Sequence, residues 1–328
     1  MSKIIKKMVC LCLACLFIIT LSSCQTESKK KITIIQYVSA SALDDACAGI
    51  IEGLEAAGFV DGENVEIEVK NPQAEANTLS LMVQTAVRES DMIIAIATPV
   101  ALAVKSECEK IKSDIPVLFT AVTDPVASGI VASNEEPGAN ISGTNDMNPV
   151  VEQVKLLKEL DPNAKKLGVL YTSSEPNSLI QVELAKEAAA ELGIEIVTQS
   201  IATLNDVKTM ATSLVSKDVD AVYLPTDNNI ASAISAVTSV TNEAGIPTIC
   251  GEEGMLNGGG IITLGINYKN LGKITGEMAA RVLKGEDISK MSVEGLKNFT
   301  LVINRKQAQE SGITIPEELL SKADVIVE

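Results

Sequence analysis

Along most of this chain, apolar stretches of strand length alternate with segments of helix length, and the alternation runs through twice. In the first round Lys31–Val38 reads as a strand and Ala42–Ala57 as a helix stopped by Gly58. Val65–Val69, Met92–Ala97 and Pro116–Thr120 read as further strands, with Glu75–Arg88 and Val100–Lys112 as the helices between them. Runs such as IIAIA are apolar on both faces, which suits parallel strands covered on both sides. Strands alternating with helices fold as a doubly wound parallel sheet, because each crossover lays its helix on a face of the sheet.

The second round has the same plan. Helices are expected at Pro149–Leu160, Pro176–Leu192, Asn205–Ser216, Asn229–Ala244 and Leu271–Leu283. Strands are expected at Lys166–Tyr171, Glu195–Gln199, Asp220–Leu224, Pro247–Ile249 and Ile261–Ile266. A late strand, Phe299–Ile303, is expected to cross back and complete the first lobe. The fold class is therefore α/β, with two doubly wound parallel-sheet lobes and an interlobe ligand cleft. Residues 31–145 plus 288–328 are assigned to lobe 1 and residues 146–287 to lobe 2.

The N-terminus precedes this pattern. Lys3, Lys6 and Lys7 flank an apolar run from Val9 to Leu21, followed by Ser22, Ser23 and Cys24. A positive flank, a short apolar core and small residues make a secretory signal peptide. The run is about 13 residues, short of the roughly 20 that span a bilayer. Leu21-Ser22-Ser23-Cys24 resembles a bacterial lipobox, which implies cleavage before Cys24 and lipid on its thiol. Residues 1–23 are then the signal peptide and 24–30 a tether, with the protein on the extracytoplasmic face of the membrane. Cys47, Cys108 and Cys250 remain as isolated cysteines, neither a disulfide framework nor a zinc pair, and read as small buried apolar residues.

A net charge of −16 with few aromatics argues against a nucleic-acid partner. The chain has no histidine, which removes Ser–His and Cys–His catalysis and histidine metal sites. Gly258–Gly260 precedes a strand instead of joining a strand to a helix, so it is a tight turn and not a phosphate loop. No cofactor is expected.

Ligands of open α/β sheets sit beyond the carboxyl ends of the strands, and those ends carry the unusual residues. They are Tyr37, Ser39 and Ala40; Thr98 and Pro99; Thr123 and Asp124; Tyr171, Ser173, Ser174 and Glu175; Thr226 and Asp227; Glu252; and Tyr268. Thr98, Ser174 and Thr226 could equally cap helices, and Asp124 and Asp227 could bond their own turns. As a binding set, the helix N-termini and hydroxyls suit a ligand carboxylate. Asp124 and Asp227 suit an ammonium, and the tyrosines supply flat apolar area. Arginine occurs only at 88, 281 and 305, away from strand ends, which disfavours a strongly anionic ligand.

These segments resemble the ABC-transporter substrate-binding lipoproteins of the group that includes tryptophan- and tyrosine-binding members. The likeness is carried in order by IIQYV (34–38), EAAGFVDGENVEIEVKNPQAE (55–75), IAIATPVA (94–101) and IPVLFTAVTDPVASGIV (115–131). It continues through GANISGTNDMNPV (138–150), LGVLYTSSEPNS (167–178), VDAVYLPTDNNIASA (219–233) and LGINYKNLGKITGEMAARVLKGE (264–286). The resemblance implies a type I periplasmic-binding fold, monomeric, that closes on a small-molecule ligand and delivers it to an ABC permease and ATPase. It marks the residues named above, together with Asn177, as ligand contacts. Within that set Asp227 is expected to hold the ammonium, and Thr98 with Ser174 the carboxylate.

The chain departs from the family at Ser39-Ala40-Ser41, where relatives often show a His-Pro-like pair, and at Asn145, where serine is common. The expected ligand is an aromatic amino acid, with an aliphatic one or another small zwitterion open. A ligand sensor serving a membrane receptor, and an extracellular hydrolase using carboxylates, are the alternative functions.

Overall fold

The structure is a computed structural model that describes residues 29–328. The expected signal peptide, Cys24 and most of the tether lie outside the described residues.

The first sheet is built from β1 (Lys30–Gln36), β2 (Val65–Lys70), β3 (Met92–Ile96), β4 (Val117–Val122) and β5 (Ile141–Asn145). Its first three helices are α1 (Ser41–Ala56), α2 (Ala76–Glu89) and α3 (Thr98–Ile111). The second lobe follows with α4 (Val150–Leu160), β6 (Lys166–Thr172), α5 (Pro176–Glu191), β7 (Glu195–Ile201), α6 (Val207–Val215) and β8 (Ala221–Leu224). It continues with α7 (Asn228–Ser232), α8 (Ile234–Glu243), β9 (Thr248–Cys250), α9 (Gly254–Asn257) and β10 (Ile262–Gly265). The chain ends with α10 (Tyr268–Leu283), β11 (Glu294–Gly295), β12 (Thr300–Asn304), α11 (Arg305–Glu310), α12 (Glu317–Lys322) and β13 (Val325–Val327).

Strand order is β11-β5-β4-β3-β1-β2 in the first sheet and β13-β12-β10-β9-β8-β6-β7 in the second. All pairs are parallel except β10 with β12. The order reverses between β1 and β3, and again between β6 and β8, which sets a ligand crevice beyond the carboxyl ends of each pair. Strands β3 and β4 are buried along their whole length, as their unbroken apolar runs require.

Two assignments from the sequence are corrected. The late strand β12 does not return to lobe 1. It pairs with β10, and Leu301, Ile303, Ala308, Ile313 and Leu319 pack in the lobe 2 core. Conversely α10, expected in lobe 2, packs in the lobe 1 core through Leu271, Met278 and Ala279. The physical reason lies in two glycines. A Cβ on Gly272 would stand 2.0 Å from the Ala46 carbonyl oxygen, and one on Gly49 would stand 2.0 Å from that of Lys269. Backbones this close leave no space for a side chain, so α1 accepts only a helix with small residues at the contact.

The sequence reading also missed β5. Its residues ISGTN carry two hydroxyls and a glycine, an unlikely strand by composition. Ser142 Oγ donates to Met291 O at 2.7 Å, and Thr144 Oγ1 bonds Thr120 and Thr275 hydroxyls at 2.9 and 2.8 Å, so both buried hydroxyls are satisfied. The helix expected over Asn229–Ala244 is two helices, broken at Ala233 (φ −111°, ψ 20°). The chain passes between the lobes three times: after β5, after β10 and after β11.

Candidate functional site

Between the lobes lies a cavity whose free space, counted together with its open mouth, is about 350 Å³. Lobe 1 contributes Ala40, Ala42, Leu43, Ala121 and Thr123. Lobe 2 contributes Asn177, Thr226, Asp227, Asn228, Ala231 and Glu252, and the crossing segments contribute Asp146 and Tyr268. The lobes touch around it. Thr123 and Thr226 hydroxyls meet at 3.4 Å, and Asn257 Nδ2 donates to Ser41 Oγ at 3.0 Å.

The lobe 1 wall is shaped by two local features. The residue before α1 is Ala40, in extended conformation and without a capping side chain. The first N–H groups of this 16-residue helix therefore have no side-chain acceptor and bring the positive end of its dipole to the cavity. At the end of β4 the register with β5 shifts after Phe119, and Ala121 takes a left-handed φ of 54°. That irregularity re-aims the strand end so that Ala121 and Thr123 both face the cleft.

The lobe 2 wall is a hydrogen-bonded platform. Asp227 caps α7, accepting from Ile230 N at 2.9 Å, and also accepts from the Thr172 amide, from Thr172 Oγ1 at 2.7 Å and from Ser178 Oγ at 2.8 Å. Glu175 accepts from Asn177 Nδ2 at 3.0 Å, from the Asn228 and Asn229 amides at 3.1 Å each, and from Asn228 Nδ2. Gln181 holds Thr226 through both its amide and its hydroxyl. Glu252 accepts from Gly254 N.

Every carboxyl here is buried, and burial is the main influence on each. It pushes Glu252 up to about 8, against the pull of the Gly254 and Met255 amides. It raises both Glu175 and Asp227, which repel one another. Burial lifts Asp146 to about 6, with the Tyr268 and Thr123 hydroxyls opposing it. No lysine or arginine lines the cavity.

At the crossings, Tyr268 OH donates to Asp146 Oδ2 at 2.6 Å, and Asn148 bonds Tyr268 OH at 3.4 Å and the Ile266 amide at 3.2 Å. Two buried polar atoms of residues that line the cavity have no partner: Asp146 Oδ1 and Asn177 Oδ1.

Of the residues singled out from the sequence, Ala40, Thr123, Asn177, Thr226, Asp227, Glu252 and Tyr268 line the cavity. Glu175 stands behind them as a support for Asn177 and Asn228. The others do not line it. Ser39, Ser173 and Ser174 are exposed, and Tyr37, Pro99 and Tyr171 are half-buried. Thr98 is buried in the first turn of α3, and Asp124 bonds its own turn at Val126 and Ala127. Thr98 and Ser174, expected to share a carboxylate, are thus not brought together there. Reasoning from the sequence missed Ala42, Leu43, Ala121, Asp146, Asn228 and Ala231. One signal was available for the first two: a long helix opening after alanine, where a capping residue is the rule.

Two doubly wound lobes, joined by three crossings around a shared cavity, have the architecture of a two-lobed solute-binding protein. Residues 31–327 match the family model described as ABC transporter substrate binding protein, and the chain belongs to that family. A tyrosine-binding protein from Clostridioides difficile is 40% identical over 283 residues, which is 85% of this chain and 81% of that protein. A Streptococcus pneumonia ABC domain solved in complex with L-Trp is 36% identical, with TM-score 0.86 over 92% of this chain and 100% of the other. A ligand-free, open substrate-binding protein with adhesive properties from Clostridium difficile is 39% identical, with TM-score 0.67 over 91% and 99%. The two solved structures are almost equally related in sequence, and the TM-score is higher to the L-Trp complex than to the ligand-free, open structure. The chain is therefore a non-catalytic solute-binding protein of an ABC importer, acting outside the cytoplasm.

Proposed function

We propose that this protein captures an aromatic amino acid, in the range of tyrosine, tryptophan and phenylalanine, and hands it to a membrane permease driven by its ATPase. Lipid on Cys24 tethers it to the outer face of the membrane. The observation that carries the reading is the polarity of the cavity. One wall presents the unblocked N-terminus of α1, which suits a carboxylate. The other walls present buried carboxyls and no basic side chain, which suits a cation. A zwitterion answers both. Ala40, Ala42, Ala121 and Ala231 reduce much of the apolar wall to single methyl groups, which suits the flat face of an aromatic side chain. The relatives named as binding tyrosine and L-Trp support the same choice.

A thermal-shift screen of the stripped, unlipidated protein against the twenty amino acids tests this, because a ligand specific to the folded state raises Tm. Shifts are expected with aromatic amino acids above all others. A shift only with sugars or purines rejects the reading.

A further inference from the structure

We propose that the ligand ammonium is held by Asp146 and Asn177, through the Oδ1 atom of each, and not by Asp227; the assignment rests on the amino-acid reading above. The argument is a count of acceptor capacity. An ionised carboxylate offers about four lone-pair sites. Asp227 already receives four donors, from the Thr172 amide and hydroxyl, the Ser178 hydroxyl and the Ile230 amide. Glu175 likewise receives four. Both hold the platform together: Asp227 is filled, with two donors on each oxygen, and Glu175, with three donors on Oε2 and one on Oε1, does not line the cavity.

Asp146 differs. It is 4% exposed, its Oδ2 accepts from Tyr268 OH at 2.6 Å, and its Oδ1 accepts from nothing. The Thr123 hydroxyl lies close enough to this carboxyl to oppose the effect of burial, but the hydrogen bond that it makes is with the Thr226 hydroxyl across the cleft at 3.4 Å, and Oδ1 stays without a donor. Asn177 is 3% exposed, and its Nδ2 points at two acceptors, Glu175 Oε2 at 3.0 Å and Thr226 O at 2.9 Å. That fixes the amide's orientation and leaves Oδ1 as the atom without a partner. Both residues line the same cavity. A buried acceptor left unpaired costs about 1–3 kcal/mol, more when charged, so two in one cavity call for a donor from outside the chain. An ammonium brings three N–H donors and the positive charge that Asp146 lacks.

The placement adds a consequence. Asp146 lies on the first crossing and its partner Tyr268 at the end of the second, whereas Asn177 belongs to lobe 2. An ammonium there ties the hinge to lobe 2, while a carboxylate at α1 engages lobe 1. A ligand lacking either group closes only half of the contact.

The test is competition binding to the full mature protein with paired probes that differ only by the amino group. The pairs are L-tyrosine with 3-(4-hydroxyphenyl)propionate, L-tryptophan with indole-3-propionate, and L-leucine with 4-methylpentanoate. Wild type is expected to prefer the amino acid by at least ~100-fold, since the desamino probe leaves both acceptors unpaired. Asp146→Asn is expected to reduce that preference to roughly 10-fold or less, with little change for the desamino probe. Two results overturn the assignment: Asp146→Asn retaining the full preference, or wild type binding both members of a pair equally. If Asp146→Asn does not fold, Asn177→Leu decides, since its preference must fall by about 10-fold and an unchanged one overturns the assignment. Binding of the leucine pair alone rejects the aromatic reading and still tests the ammonium site. Binding of no pair rejects both.

Discussion

The two walls of the cleft are built on opposite principles. The lobe 2 wall is bonded throughout apart from Asn177 Oδ1: Asp227 accepts from Thr172, Ser178 and the Ile230 amide, Glu175 from Asn177, Asn228 and the Asn229 amide, and Thr226 is held by Gln181 and Asn177. The lobe 1 wall is unfinished: methyl groups around a helix start that has no capping side chain. The difference teaches how a binding protein divides its work. One wall is a rigid template, and the other keeps donors unspent so that a ligand supplies the missing partner. Preorganised polar groups bind without reorganising, whereas unpaired ones reward only the ligand that fits.

The largest test breaks the bonded wall. Asp227→Ala leaves four buried donors without their acceptor and removes the α7 cap. A loss of about 3 kcal/mol is expected, seen as a drop of roughly 6–12 °C in Tm of the unliganded protein. A change under 2 °C would show that the platform does not depend on Asp227.

The second uses pH. Asp146, Glu175, Asp227 and Glu252 all have folded values raised by burial. The folded state therefore holds more protons than the unfolded one, and the stability from these groups is lost as pH rises. The window runs from the ordinary carboxylate range to about 8, the folded value of Glu252. The unliganded protein should melt higher at pH 5 than at pH 8.5, and Glu252→Gln should flatten the profile. L-tyrosine affinity should move oppositely around pH 6, weakening as Asp146 takes up its proton. A melting temperature that rises steadily to pH 8.5 contradicts this.

A smaller effect sharpens the contrast by finishing the unfinished wall. Ala40→Ser supplies α1 with a cap, worth about 0.5–1 kcal/mol to the unliganded protein. The hydroxyl then competes with the ligand carboxylate for the same N–H groups. L-tyrosine binding should weaken by roughly 3–10-fold, with tyramine binding unchanged. Smallest of all is the contact between the walls. Asn257→Ala removes one exposed bond to Ser41 and should weaken ligand binding by no more than about 5-fold, under ~1 kcal/mol, without altering Tm of the unliganded form.

Much of this architecture was legible in advance where local chemistry decided it. The apolar runs of β3 and β4 required burial on both faces, and the residues following β6 and β8 carried the platform's Glu175, Thr226 and Asp227. Tyr268 was marked as a strand-end residue, but its service as a donor to Asp146 was not visible. Asp146 stood in the sequence beside the family departure at Asn145, in the segment between the lobes, but nothing there gave it a role. Its meaning comes from a partner 122 positions away. Thr98 and Ser174 show the limit of strand-end reasoning: both follow strands, yet Thr98 is buried in the first turn of α3 and Ser174 is exposed, and neither is among the residues lining the cavity.

The sequence alone therefore determined the alternation of strands and helices, the two-lobed plan, the absence of histidine chemistry and the family. Each follows from local periodicity, composition or an ordered set of motifs. Only the tertiary structure decided which lobe takes α10 and β12, because that choice rests on backbone contact at Gly49 and Gly272 and on pairing with β10. It alone decided which carboxylates are saturated and which is left open, because hydrogen-bond capacity is settled by neighbours distant in the chain.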